Sequence, residues 1–276
     1  MITFTDFTYA YPTSDAAVLR GIATEIPDGQ LCGLVGPGGA GKSTFAYAAS
    51  GFIPHVMGGE STGGVSVDGR PVADTPLSEL VAQVGLVLQD PFNQISGAKF
   101  TVREELAFGL ENLGLPRAEI IARVDDMLDR LGIAALRDRS PYELSGGQQQ
   151  LVALGSVLVM RPSVLVLDEP TSQLDPAGTR LVFGALDEVR RTGITVLLVE
   201  HKLEQLAGVA DRVLVLAGGE LRLDGPPETV LADPRLAEWG VGGTRFTEAA
   251  RRAGDRWPAG RPLPVTLDAA VEGFAR

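Results

Sequence analysis

Gly36-Pro37-Gly38-Gly39-Ala40-Gly41-Lys42-Ser43-Thr44 is the stretch on which the reading of this chain turns. Leu31-Cys32-Gly33-Leu34-Val35 before it is an apolar run of strand length. Phe45-Ala46-Tyr47-Ala48-Ala49 after it suits a helix. A strand, a glycine loop spaced G-x-x-x-x-G-K-S and a helix make a phosphate-binding P-loop. Gly36, Gly38, Gly39 and Gly41 let the backbone turn tightly, so that successive N–H groups face inward as an anion-holding nest. The helix N-terminus adds its positive end. Lys42 is expected to reach the β- and γ-phosphates and the Ser43 hydroxyl to ligate Mg²⁺. A glycine-rich turn that binds nothing would not need the lysine, the hydroxyl and the flanking strand and helix together. The expected ligand is a nucleoside triphosphate.

The 276 residues suffice for one large domain, or a domain with a small appendage. With 45% hydrophobic and 21% charged residues, the composition is that of an ordinary globular protein. The net charge is −11 and no dense basic cluster occurs, which argues against nucleic acid as the main partner. The single cysteine, Cys32, falls in an expected core strand and reads as a small apolar residue rather than a redox group. The first residues lack the basic and apolar regions of a signal peptide, and no uncharged apolar run of about 18 residues occurs. The expectation is a soluble, intracellular chain whose connection to a membrane comes through a partner.

Alternation at Ile2, Phe4, Phe7, Tyr9 and Tyr11 predicts an antiparallel strand over 2–11, followed by another over 18–26. That layer would lie beside the nucleotide and offer an aromatic ring to its base, with Tyr11 the first candidate and Tyr9 the competitor. Gly58-Gly59 and Gly63-Gly64 read as a loop, and 64–69 as a strand running into a turn. A short helix over 78–83 is expected with Ser78 as its cap, then a buried strand over 84–88 that stops at Gln89-Asp90-Pro91. Thr101-Val102-Arg103-Glu104 has a capping-box pattern. Beyond Pro116, Ile120, Ile121, Val124, Met127, Leu128 and Leu131 form one apolar stripe. A helical insert over about 92–160 therefore interrupts an α/β chain. Strands return at 164–168, 195–200 and 212–217, with a helix over 181–191 and a hairpin turning at Gly218-Gly219. After residue 233 the pattern weakens. Residues 240–243 and 257–264 read as linkers between amphipathic candidates at 244–253 and 266–276, so the chain divides into 1–233 and a helical appendage, 234–276.

Val164-Leu165-Val166-Leu167-Asp168-Glu169 ends a buried strand in two acids, at the edge where open α/β sheets bind ligands. Asp168 can bind the Mg²⁺ held by Ser43, and Glu169 can orient or deprotonate the attacking water. Leu144-Ser145-Gly146-Gly147-Gln148 offers a hydroxyl and free N–H groups at a helix start, where an anion could sit. Its bland alternative is a capped helix start with no ligand.

Taken together and in this order, these residues resemble the nucleotide-binding domain of ABC ATPases, whose signature is LSGGQ. The resemblance covers about residues 1–230 and runs through Tyr11, the P-loop from Gly36 to Thr44, Gln89, the signature, Asp168 and Glu169, Ser172-Gln173-Leu174-Asp175 and His201. It implies a P-loop NTPase fold with a RecA-like core, an antiparallel β subdomain, a helical subdomain and a small C-terminal helical appendage. It implies ATP and Mg²⁺ as the bound groups and ATP hydrolysis as the activity. By resemblance Gln89 would sense metal and water, His201 would contact the γ-phosphate, and Asp175 would lie in a loop crossing a dimer interface. Ser145, Gly147 and Gln148 would then cap the triphosphate on the P-loop of a second, head-to-tail copy or of a paralogue. Two positions depart from the usual pattern, Leu151 in place of arginine and Gln173 in place of a small residue, and neither removes a group that touches phosphate.

Gln89-Asp90-Pro91-Phe92-Asn93-Gln94, Glu200-His201-Lys202-Leu203-Glu204 and the appendage are most similar to ATPases of energy-coupling-factor transporters. That resemblance implies a transmembrane coupling subunit and a substrate-binding membrane subunit as partners. The ATPase would work at the cytoplasmic face of the membrane, and the cargo would be a vitamin or a transition-metal ion. The ATPase of a conventional ABC transporter, and a soluble ABC ATPase acting on ribosomes or DNA, are the alternatives.

Overall fold

In the computed structural model, which describes residues 1–14 and 16–275, the chain forms an α/β domain built on two sheets. Alternation buries Ile2, Phe4, Phe7 and Tyr9 on one face of β1 (Ile2–Ala10), which pairs antiparallel with β2 (Leu19–Ile26). β3 (Leu31–Val35) is buried throughout and leads into α1 (Lys42–Ser50) and the single turn α2 (Phe52–His55). β4 (Glu60–Val67) and β5 (Arg70–Pro71) complete an antiparallel sheet in the order β2-β1-β4-β5.

The Gly63-Gly64 pair lies inside β4 rather than in a loop. The pairing of β1 with β4 shifts register between Thr5 and Thr8, and there Asp6 has φ 45° and Gly63 φ 72°. A Cβ on Gly63 would stand 2.2 Å from the Asp6 carbonyl oxygen. Glycine here permits a close backbone approach at a bulge, which in sequence looks like a loop.

α3 (Leu77–Gln83) enters from Pro76 with no side-chain cap, so Ser78 falls inside the first turn instead of capping it. Proline presets φ and has no N–H to satisfy, which suits it to a helix entrance. β6 (Val84–Val87) follows. At the start of α4 (Val102–Asn112), Thr101 Oγ1 accepts the Glu104 N–H at 3.3 Å and the Glu104 carboxylate accepts the Thr101 N–H at 3.1 Å. α5 (Arg117–Arg130) buries Val124 and Leu128 but leaves Ile121 exposed, so its apolar stripe is narrower than the sequence suggests.

After α6 (Gly146–Leu158) come β7 (Val164–Asp168) and α7 (Pro176–Arg190). α7 begins at Pro176, ahead of the expected 181, because the Asp175 carboxylate accepts the Gly178 N–H at 2.7 Å and proline fits the first helical position. The chain continues through β8 (Thr195–Val199), α8 (Leu203–Val209), β9 (Arg212–Ala217), β10 (Glu220–Gly225) and α9 (Pro227–Val230) to α10 (Arg245–Ala253) and α11 (Leu267–Phe274). Arg276, the last residue of the second amphipathic candidate, lies outside the described residues.

The second sheet has the order β10-β9-β3-β8-β7-β6, parallel except at β10. Its central strands β3, β7 and β8 are buried along their whole length because both faces are covered. Leu165 and Leu167 of β7 face the helical side with Leu106, Leu154 and Leu186, whereas Val164 and Val166 join Phe4 and Phe45 on the other side. α1 is thus held between the two sheets, with the Phe45 ring stacked on Phe4 at 4.1 Å.

Leu236, Val241 and Val265 pack into the same apolar cluster as Leu31 and Val196, so the C-terminal segment shares the core of the larger unit. The stretch 257–264, expected as a linker, is anchored by the buried Trp257, whose ring lies edge-on to Phe274 at 5.2 Å. Among the described residues no helix is long and apolar enough to cross a membrane.

Candidate functional site

β3 delivers the glycine loop to the carboxyl edge of the parallel sheet, and α1 leaves from it. Gly39 and Gly41 have φ of 74° and 100°, a region that side chains resist. A Cβ on Gly36 would lie 2.1 Å from the Leu216 carbonyl oxygen, whereas at Gly38 or Gly39 it would meet nothing within 4 Å. One side of the loop is therefore sealed against β9 and the other stands open, as a phosphate cradle requires.

The Lys42 side chain curls over this loop, and its Nζ donates to the carbonyls of Gly36 at 3.1 Å and Pro37 at 3.0 Å. Burial pulls the pKa of this amine down, against the raising pull of the Glu169 and Asp168 charges. Ser43 Oγ donates to Asp168 Oδ1 at 3.1 Å. Asp168 is only 3% exposed; burial pushes its pKa up, against the Ser43 hydrogen bond. Glu169, at φ 50°, is held in the left-handed region, where a non-glycine residue stores strain. Its Oε1 is 2.7 Å from His201 Nε2 and 4.0 Å from Lys42 Nζ. Lys42, Ser43, Asp168, Glu169 and His201 thus meet in one place from three separate stretches of chain.

Thr44 Oγ1 lies 2.9 Å from the Tyr11 hydroxyl, which ties Tyr11 to the first turn of α1. Tyr9 is 1% exposed and donates its hydroxyl proton to the Gly58 carbonyl at 2.9 Å, so it belongs to the core. Of the two rings only Tyr11 is accessible beside the cradle.

A Mg²⁺ site of two protein ligands fits what is here. The Ser43 hydroxyl and the buried, burial-penalised Asp168 carboxylate lie side by side, and a cation would offset that penalty. Among the described residues no group of three or more His, Cys, Asp or Glu side chains could hold a metal, so phosphate oxygens and water would complete the shell. Tyr47, one turn along α1 from Ser43, is near enough to Asp168 to feel its charge, and its phenol is pushed up to about 12, first by burial and then by that charge. The sequence signal for Tyr47 is its i, i+4 spacing from Ser43, which puts both side chains on one face of α1.

Gln89 is exposed just past β6, whose register pairs Val87 with Leu167, so it leaves the sheet at the same edge as Asp168. Gln94 holds that connector: its Oε1 accepts the Leu88 N–H at 3.1 Å and its Nε2 donates to the Leu86 carbonyl at 3.0 Å. The side-chain amide thereby satisfies backbone groups on the free edge of β6.

The signature is elsewhere. Ser145 caps α6 through a reciprocal box with Gln148, and both Ser145 and Gly146 are exposed. Gly147 is buried, and a Cβ there would come within 2.6 Å of Gly178 Cα, so this glycine lets α6 and α7 touch. Among the described residues no hydrogen bond or ion pair joins Ser145, Gly147 or Gln148 to the P-loop of the same chain. Asp175 is exposed and spends one oxygen on capping α7. Leu151 is buried in the helical core, where an arginine would need partners.

The C-terminal segment completes one wall. A cleft of about 180 Å³ beside the cradle is lined by Gly36, Pro37, Gly38 and His201 on one side and by Gly240 and Gly242 on the other.

The ABC transporter family matches residues 19–172. A protein from Streptomyces avermitilis named as an ABC transporter ATP-binding protein is 45% identical over 266 residues, covering 92% of this chain and 47% of that protein. A counterpart so named from Pyrococcus horikoshii is 44% identical over 231 residues, covering 83% of this chain and 81% of its own. The solved structure of CbiO1 from Clostridium perfringens, described as part of the ABC transporter complex CbiONQ, superposes with a TM-score of 0.77. It is 32% identical and covers 92% of this chain and 94% of its own. The chain spans about half the length of several curated relatives that it matches. Hydrolysis of ATP is the general activity of such proteins. With its P-loop, paired acids and fold all matched, this chain belongs to the ABC transporter ATP-binding family.

Proposed function

We propose that the chain is the ATP-hydrolysing subunit of an energy-coupling-factor importer, working at the cytoplasmic face of the membrane. The observation that carries this reading is the agreement, over almost the whole of both chains, with a subunit of the CbiONQ transporter complex. The cargo would be a transition-metal ion or a vitamin, taken up through a transmembrane coupling subunit and a substrate-binding membrane subunit. An exposed aromatic surface next to Gln89 suits such a partner: Phe92 is 60% and Phe100 86% exposed, and Phe92 lies edge-on to Tyr142 at 5.6 Å.

In the reaction, the open side of the glycine loop binds the triphosphate and the Lys42 ammonium swings from the loop carbonyls onto the phosphates. Ser43 and Asp168 would hold Mg²⁺, which would supply charge neutralisation for the phosphates. Glu169 orients the attacking water and takes its proton, while His201, hydrogen-bonded to Glu169, stands at the γ-phosphate end. The exposed start of α6, Ser145 with the Gly146 N–H, closes the site on a second ATPase copy, head to tail. ATP would hold that pair together and hydrolysis would release it. α11 leaves Leu267, Val271 and Phe274 exposed at helical spacing, a face suited to holding the dimer.

The test is affinity purification of the tagged chain from detergent-solubilised native membranes. Recovery of a multi-helix membrane subunit with a small substrate-binding membrane protein supports the importer. A second ATPase in equal amount identifies a heterodimer. Ribosomal or DNA-bound partners without membrane proteins overturn the transport reading.

A further inference from the structure

His201 sits in the short connector between β8 and α8, and the residues on either side of it are fastened. Glu200 is 2% exposed; its carboxylate accepts the Thr171 hydroxyl, the His201 N–H at 2.7 Å and the Lys202 N–H at 3.0 Å. Lys202 Nζ donates to Thr179 Oγ1 at 2.6 Å, to the Thr171 carbonyl at 2.8 Å and to the Leu174 carbonyl at 3.5 Å. Thr171 and Thr179 are both buried. Thr171, within the loop that runs from Glu169 to the Asp175 cap, and Thr179, in the first turn of α7, bracket the end of that loop and its cap. The bonds that close this bracket span 23 to 31 residues of sequence, so they join separate parts of the fold.

The ammonium is half-buried and, among the described residues, no carboxylate lies within ion-pairing distance of it. A lysine placed for solubility would reach water, and one placed for charge pairing would reach an acid. This one uses its donors on three neutral oxygens in a fixed geometry, and charge-assisted bonds of that kind hold position firmly.

We infer that Lys202 is a positioning residue for hydrolysis: it ties the connector bearing His201 to the loop 171–175, so that the place of this loop sets the place of the imidazole over Glu169. Any contact that shifts the exposed Asp175 end of the loop then moves His201 as well. The inference rests on Glu169 and His201 acting in hydrolysis.

Steady-state ATP hydrolysis by the full chain tests it in Lys202→Met, Lys202→Arg, Thr179→Val and the combined Lys202→Met/Thr179→Val variant. In Lys202→Met, kcat falls about tenfold or more while KM for ATP stays within about twofold. Lys202→Arg, which keeps a charged donor, restores kcat to within about threefold. The combined variant is no worse than Lys202→Met alone, since Thr179 acts through the lysine. An unchanged kcat in Lys202→Met, a rise in KM alone, or additive losses in the combined variant would overturn the inference. If Lys202→Met does not fold, Thr179→Val keeps the side-chain shape and carries the test: kcat lower by about threefold at constant KM supports the tie, and an unchanged kcat refutes it. Glu169→Gln measured alongside separates the two levels. Full hydrolysis there removes the premise, whereas hydrolysis lost there but normal in Lys202→Met removes only the tie.

Discussion

His201 Nε2 lies 2.7 Å from Glu169 Oε1, and Lys42 Nζ lies 4.0 Å from the same oxygen. One carboxylate oxygen thus lies within reach of both the P-loop lysine and the imidazole. A base placed there acts on water and leaves the ground-state nucleotide alone. Glu169→Gln is expected to lower ATP hydrolysis by about a hundredfold or more and to leave ATP affinity within about threefold. Phosphate release and equilibrium dialysis check both halves. Equal losses of affinity and turnover would assign Glu169 to binding.

Asp168 carries an electrostatic cost. Burial raises its pKa, so the folded state holds the proton to higher pH than the unfolded chain does. The stabilising contribution of the protonated form is present below the ordinary carboxylate range and is lost as pH rises through the raised value. At neutral pH the ionised group is therefore a net penalty unless a cation offsets it. In EDTA at neutral pH, Asp168→Asn should unfold at a higher temperature than the parent, and it should gain less from added Mg²⁺. A lower melting temperature for the variant in EDTA would contradict this.

Cys32 is fully buried, and burial pushes its thiol up to about 12 from an ordinary 9.0. A group with a raised folded pKa supplies stability that is present below pH 9 and lost between about 9 and 12. At pH 8 a thiol reagent should label the native protein only as fast as it opens, and labelling should track denaturant unfolding measured by circular dichroism. Rapid stoichiometric labelling of the native protein would place the thiol at the surface.

Tyr11 offers two things, a ring beside the cradle and a hydroxyl on Thr44. If the ring stacks on the adenine, Tyr11→Phe keeps ATP affinity within about twofold. Tyr11→Ala then loses about 1–3 kcal/mol, the worth of a base on an aromatic side chain. Isothermal titration with both variants separates the two roles. Equal losses would make the hydroxyl the important part.

Much of this was legible in the chain. The glycine loop and the paired acids after 164–167 are local patterns, and both ends of the capping box at Thr101 and Glu104 lie within one turn. What was not legible depends on groups far apart in sequence. Gly63 reads as a loop until Asp6 comes against it across the sheet. Gly147 reads as an anion-binding glycine, and only the fold adds that its missing Cβ admits Gly178 of another helix. Trp257 sits in a polar, proline-rich stretch, and only the glycine face of α11 explains its burial. The clasp of Lys202 on Thr171 and Thr179 has no local signal, because its acceptors are two carbonyls and a hydroxyl.

On this reading the P-loop of one copy and the exposed start of α6 of another make a composite site closed by ATP. Light scattering of Glu169→Gln in Mg²⁺ with ATP, with ADP and without nucleotide is the measurement to make, since a variant expected to hydrolyse ATP slowly would keep the ATP state. The chain mass is 29.0 kDa. Twice that mass is expected with ATP alone, abolished by adding Ser145→Arg, which blocks the cap without touching the P-loop. A single-chain mass with ATP bound, or a dimer indifferent to nucleotide and to Ser145→Arg, would contradict it.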